Sequence, residues 1–180
     1  MNIKKVVQDN KYRSCGYCFS VCPVNAIDMV YTEGFFRPEV NVSQCIQCGK
    51  CVKSCPAENV FVENGLLGSC IDMLLAHSTN SDIRHNATSG GVINSLVRFL
   101  LKERIVDGIL MAGYDGKSVN ETSSQLITLA EMNILEKKTR DFSSRYVLTG
   151  VKNIPERIKK LAVVGTACQI QALKLGVRQT

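Results

Sequence analysis

The spacing of apolar side chains changes along the chain, and each spacing predicts an element. Ile27, Met29 and Tyr31 alternate with polar residues. Gly34 then interrupts, and Phe35-Phe36-Arg37-Pro38-Glu39-Val40 resumes an extended pattern. A period of two on both sides of a turn predicts a β-hairpin. From Val92 the step lengthens to three and four, with Ile93, Leu96, Val97, Leu100 and Leu101 apolar and Asn94, Ser95, Arg98 and Lys102 facing away. That predicts a helix with Thr88 or Ser89 as its N-cap. Apolar runs at 105–112, 125–129 and 161–165 read as buried strands, and helices are expected near 131–138, 155–160 and 167–175. Strands alternating with helices predict an α/β domain.

Seven of the nine cysteines lie between Cys15 and Cys55, ahead of all of these elements except the hairpin. Disulfides fit poorly, because seven is odd and two-residue gaps hold thiols for a metal more often than for a bridge. Zinc would take four of the seven and leave three idle. Cys45-Ile46-Gln47-Cys48-Gly49-Lys50-Cys51-Val52-Lys53-Ser54-Cys55-Pro56 instead follows the C-x2-C-x2-C-x3-C-P run of bacterial-type ferredoxins. Cys15, Cys18, Cys22 and Pro23 repeat that run without its first member. A shift of 33 residues lays Cys15 on Cys48, Cys18 on Cys51, Cys22 on Cys55 and Tyr12 on Cys45.

In such doubled runs the fourth cysteine of each ligates the cluster of the other. One 4Fe-4S cluster would then take Cys45, Cys48, Cys51 and Cys22. The other would take Cys15, Cys18 and Cys55, with Tyr12 at the vacancy. Three outcomes fit that vacancy: a 3Fe-4S core, a 4Fe-4S core with a non-cysteine or exogenous ligand, or an empty site. Cys70 and His77 are further candidates for the missing ligand, although a lone thiol beside Ile71, Leu74 and Leu75 reads first as packing, and His85 reads as a surface residue. Phe19 and Phe35 are candidates for shielding a cluster from water.

The formal charge of +6 would ordinarily suggest an acidic partner. A four-thiolate cluster with a doubly positive core carries two negative charges, so two clusters would lower it to about +2. No basic stripe with interleaved aromatics is present, and nucleic acid is not expected as a partner. No apolar run reaches the roughly 18 residues of a membrane span, and 1–10 lacks a greasy signal-like stretch. The expectation is a cytoplasmic protein without a membrane span.

The expected fold is an α+β ferredoxin-like two-cluster module at 1–62, a linker at 63–84, and an incomplete α/β domain at 85–180. Within the last, Ser89-Gly90-Gly91 precedes a helix, and Gly165-Thr166 joins a strand to a helix. Both are places where backbone N–H groups meet anions such as a pyrophosphate. Cys168 sits in the first turn of that last helix, where a thiol is either reactive or simply packed.

Taken together, the Cys-rich run around 33–39, Ala87-Thr88-Ser89-Gly90-Gly91 with Val106-Asp107-Gly108, Ser144-Arg145-Tyr146-Val147, and Val164-Gly165-Thr166-Ala167-Cys168-Gln169-Ile170-Gln171-Ala172-Leu173 resemble the beta-subunit family of coenzyme F-420 (F420) hydrogenases and dehydrogenases. The resemblance implies FAD near Ser89, Gly90, Gly91, Ser144, Tyr146, Gly165 and Thr166. It also implies hydride exchange with the deazaflavin F420, or electron exchange with ferredoxin or other subunits of a redox complex. Tyr12 stands where the family pattern usually has cysteine, and family members continue well past position 180, so a truncated or split chain needing a second polypeptide is expected. The alternatives are an electron carrier or docking subunit without substrate chemistry of its own, a fragment lacking activity, a family member that reduces a different substrate, or a zinc-stabilised interaction module.

Overall fold

The computed structural model of the chain describes residues 1–32, 34–59, 70–87, 89–114, 122–136 and 147–177. The chain forms two compact units. One comprises 1–61, 144–154 and 165–180; the other comprises 62–143 and 155–164.

The first unit contains α1 (Lys4–Gln8), α2 (Tyr17–Ser20), β1 (Ile27–Thr32), β2 (Phe35–Val40) and α3 (Lys50–Lys53). To these it adds a 3-10 helix at Val147–Asn153 and the last helix of the chain. The repeat seen in the cysteines is also a repeat of backbone. Ser14 and Gln47 have φ of 52° and 54°, Gly16 and Gly49 have φ of 79° and 74°, and each pair leads into a four-residue helix, α2 or α3. The expected hairpin forms, with Ile27 opposite Val40 and Thr32 opposite Phe35. Its alternation decays toward the turn: Ile27 is buried and Met29 half-buried, while Tyr31 and Phe35 are exposed. Phe35, 61 % exposed, therefore shields nothing, because only the base of the hairpin meets the core. Phe19 does pack on that core, and its ring lies beneath the Lys152 ammonium, 4.3 Å away. The 3-10 helix is tied to α2 by the Ser20 hydroxyl, which donates to the carbonyls of Leu148 (2.5 Å) and Thr149 (3.2 Å).

The second unit holds α4 (Ser81–Asn86), α5 (Val92–Lys102), β3 (Gly108–Tyr114), β4 (Thr122–Ile127), a 3-10 helix at Leu129–Glu136, and β5 (Leu161–Val163). The sheet order is β4-β3-β5. β3 is antiparallel to β4 and parallel to β5, so the sheet is mixed. Its core gathers Val97 and Leu101 of α5, Ile109 and Met111 of β3, Ile127 of β4, and Leu135.

Two expectations need correction here. At 155–160 there is a turn in place of the expected helix: the Asp107 carboxylate accepts the N–H groups of Lys159 and Lys160, both at 2.8 Å. These bonds hold its pKa below the ordinary carboxylate value and feed the chain straight into β5. The helix α5 forms, but its faces differ from the expected pattern. It starts after Gly91 in the left-handed region without a side-chain cap, Asn94 is buried at 9 % exposure, and Val92, Ile93 and Leu96 are about half-exposed. The cause is that the helix packs through the Asn94-Val97-Leu101 line, one of several that its broad apolar stripe allows. Among the described residues, no helix is long and apolar enough to cross a membrane.

Candidate metal centre and cavity

All nine cysteines are free thiols. Four of them, Cys22, Cys45, Cys48 and Cys51, line one cavity together with Ile27, Ile46, Gly49 and Lys50. Cys45 and Cys48 come from the tight loop leading into α3, Cys51 from α3 itself, and Cys22 arrives from the other repeat, just after α2. Polar hydrogens are aimed at these sulfurs. The Ala26 N–H donates to Cys22 Sγ at 3.2 Å, and the Asn2 side chain approaches Cys45 Sγ at 3.7 Å. Burial raises the Cys51 thiol pKa, opposed by backbone hydrogen bonds from Ile3 and Val52.

Cys15, Cys18 and Cys55 form a second set, all buried, with Cys18 and Cys55 in one core cluster beside Ile3, Val6 and Ile27. Cys15 interacts electrostatically with Cys55, and Cys18 with both Cys15 and Cys55. Burial pushes the Cys15 thiol up to about 11, against a hydrogen bond from the Tyr17 backbone, and raises Cys18 and Cys55 likewise. Tyr12 points toward this set. Its hydroxyl meets Cys18 and lies 3.9 Å from the sulfur of Met29, and burial, then Cys18 and Cys15, hold its pKa above the ordinary phenol value.

The donor set fits an iron-sulfur cluster. Four thiols stand around a cavity, with the chain wrapped so that backbone N–H groups reach the sulfurs. Among the described residues, no three His, Cys, Asp or Glu side chains close on a position for a single ion. Cys70 and His77 are exposed and engaged locally: the Cys70 thiol donates to the Asp72 carbonyl at 3.5 Å, and His77 Nδ1 lies 2.9 Å from the Ser78 carbonyl. The expected packing of Cys70 does not occur, because Ile71, Leu74 and Leu75 around it are themselves exposed. His85 is on the surface, as expected.

The buried thiols make the metal-free protein sensitive to alkali. A thiol whose pKa is raised by folding stabilises the fold fully below its unfolded value, and that contribution is lost as pH rises through the folded value. For Cys15 the window runs from 9.0 to about 11. Chelated protein is therefore expected to hold a constant denaturant midpoint up to about pH 9 and to lose stability above it. Denaturant titrations across that range check this, and a midpoint unchanged at pH 11 would contradict it.

The second unit contains a cavity of about 430 Å³ lined by Ala76, Ala87, Ser89, Gly90, Gly91, Asn94, Met111 and Val164, among others. Its lining is mostly apolar with a few polar groups, as small-molecule sites usually are. Three of the expected cofactor residues, Ser89, Gly90 and Gly91, thus share one wall. Gly165 and Thr166 follow Val164 on an exposed turn and do not line it, while Ser144 and Tyr146 lie outside the described residues. Asn94, Met111 and Val164 are not singled out by the sequence as site residues. Their signal is weak, since Asn94 reads as part of the polar face of its helix, Met111 as the interior of a strand and Val164 as the end of an apolar run.

Residues 13–59 match the 4Fe-4S dicluster domain family, and residues 73–138 match the N-terminal part of the coenzyme F420 hydrogenase/dehydrogenase beta subunit. The two matches support the F420 hydrogenase/dehydrogenase beta-subunit family for this chain. Its first part is a ferredoxin-type 4Fe-4S domain. One of the subunits of the F(420)H(2) dehydrogenase of Methanosarcina mazei is 24 % identical over 181 residues, covering 96 % of this chain and 50 % of that protein. The beta subunit of the coenzyme F420 hydrogenase of Methanosarcina barkeri is 27 % identical over 116 residues, covering 63 % and 39 %. A solved structure, that of the F420-reducing NiFe hydrogenase complex from the latter organism, is similar at a TM-score of 0.46 with 26 % identity, covering 54 % of this chain and 34 % of that one. The chain therefore spans half or less of the length of these relatives. All seven clustered cysteines fall within the first matched segment, and the cavity residues from Ala76 to Met111 within the second. Val164 and Cys168 lie outside both.

Proposed function

We propose that this chain carries single electrons through two 4Fe-4S clusters to FAD, and from there serves hydride exchange with F420 as a subunit of a larger redox complex. The observation that carries this reading is that Cys22 shares a cavity with Cys45, Cys48 and Cys51, so a thiol of one repeat enters the ligand set of the other. When bound, the clusters pass electrons one at a time, and a flavin trades them in pairs with a hydride carrier.

Cys45, Cys48, Cys51 and Cys22 hold the first cluster, and Cys15, Cys18 and Cys55 supply three ligands to the second. Ile3, Val6, Ile27 and Val52, all buried, keep water from the thiols. The N–H of Ala26 and the backbone of Val52 stabilise thiolate charge. Cys48 and Ile46 are exposed, which makes their loop the edge where electrons enter from a partner. In the other unit, Ser89, Gly90 and Gly91 expose backbone to the flavin, with Met111 and Val164 forming apolar walls.

Anaerobically purified full-length chain is expected to show flavin absorbance over the broad iron-sulfur bands, and the flavin band should bleach on adding reduced F420. Protein that binds no FAD, yet whose clusters reduce and reoxidise reversibly, would overturn the flavin half of this proposal. It would leave a carrier that docks through the exposed Cys48 edge.

A further inference from the structure

The set of Cys15, Cys18 and Cys55 offers three thiolates where a cubane has four irons to ligate. A fourth thiol of the same compact unit, Cys168, comes within electrostatic reach of Cys15 from far along the chain. The last helix, α6 (Ala167–Val177), belongs to the same compact unit and packs on α2, which carries Cys18. Its Gly176 sits directly against the Tyr17 hydroxyl, leaving no room for a side chain, so the register of the two helices is fixed. At its other end, Thr166-Ala167-Cys168-Gln169 forms half of a capping box: the Thr166 N–H donates to the buried Gln169 Oε1 at 2.8 Å. The first turn is thereby held in place with Cys168 in it. The Cys168 sulfur is half-buried, lies 3.2 Å from Thr166 Oγ1, and is close enough to Cys15 for the two sulfurs to interact electrostatically.

We propose that Cys168 is the fourth ligand of the cluster held by Cys15, Cys18 and Cys55, making that cluster a 4Fe-4S cube. The inference rests on the iron-sulfur reading above and supplies a ligand from outside the repeated motif. Tyr12 has a different role. Its hydroxyl is directed at the Cys18 sulfur and at Met29, which makes it a hydrogen-bond donor to a ligating thiolate. On binding, the Cys168 thiol gives its proton to solvent, and its sulfur replaces a solvent molecule on the fourth iron; no electron changes hands.

The test is anaerobic reconstitution of the full chain with ferrous iron and sulfide, followed by iron analysis and EPR on the wild type, C168A and Y12F. The wild type is expected to bind about eight irons and to show no three-iron signal when oxidised. C168A should bind about seven irons and gain the spin-half signal of an oxidised 3Fe-4S core, or bind about four irons without that signal where the second cluster is lost altogether. The retained reduced-state signal of the Cys22 cluster shows that the variant is folded, and added small thiol with ferrous iron should restore the four-iron form. Y12F should keep both cubes. Wild type that itself shows the three-iron signal, or C168A indistinguishable from wild type, overturns the assignment of Cys168 while leaving two-site electron transfer in place. Wild type that binds neither iron nor sulfide overturns that wider reading as well.

Discussion

C51A is expected to remove the cluster held by Cys22, Cys45, Cys48 and Cys51, and with it much of the stability of the first unit. Cys51 is 7 % exposed on α3 and belongs to a core cluster with Cys18, Cys55, Ile3, Val6, Ile27 and Val52. Few purely apolar side chains make up that core, and three thiols take places that aliphatic residues would fill in a metal-free fold. A core this small depends on its metal: ligation closes the two repeats on each other, and the binding free energy is folding free energy. Cys51 also interacts electrostatically with Cys18, which belongs to the other thiol set, so its loss reaches both. The expected result is loss of about half of the iron and sulfide. The unfolding midpoint of this unit should fall by ~10 °C or more, a shift that ~2 kcal/mol already produces in a small domain. Iron and sulfide analysis with a thermal melt followed in the visible region measures both. C51A with a full complement of iron and the melt of the wild type would show that this thiol is not a ligand.

What the sequence makes legible here follows from how local each signal is. Iron-sulfur ligation is written in short covalent spacing, so the run from Cys45 to Pro56 and its copy at Cys15 to Pro23 can be read directly, and the backbone repeats with them at Ser14/Gln47 and Gly16/Gly49. The hairpin and α5 are legible for a similar reason, since period two and period three to four each need only a few neighbours. The face α5 uses is not, because Val92, Ile93 and Leu96 are as apolar as Val97 and Leu101, and the choice is made by packing against β3 and against Ile127 and Leu135 farther along the chain. At 155–160 the local pattern is overruled by one carboxylate, Asp107, some fifty residues away. Cys168 shows the same limit at the site itself. It lies over a hundred residues from the clustered thiols, outside their repeated run, and the packing of α6 on α2 brings it within electrostatic reach of Cys15.

Gly91→Val is expected to abolish flavin retention while leaving the iron content unchanged. Gly91 has φ of +77°, a conformation that costs a β-branched residue ~1–2 kcal/mol. A Cβ there would also stand 3.1 Å from Ile83 Cγ2 and 3.2 Å from Ser78 Cβ, tighter than packed side chains tolerate. Relief requires the 76–78 segment or α4 to move away. The 76–78 segment is bonded to the glycine pair through the Ser78 N–H and the Gly90 carbonyl at 2.6 Å, so any shift carries the Ser89-Gly90-Gly91 wall with it. That wall faces Met111 and Val164 across the cavity, and a flavin held between them gains most from close approach to bare backbone. A displacement that adds isopropyl bulk and bends the wall should weaken binding by at least about tenfold, equivalent to ~1.4 kcal/mol. Flavin per chain after gel filtration, read beside iron per chain, separates the two units: the first should fall and the second should not. If Gly91→Val keeps its flavin, the cavity at the start of α5 is not where FAD sits, whatever the clusters do. If both contents fall together, the variant has lost its fold, and Ser89→Val, at an exposed position on the same wall, then becomes the discriminating substitution.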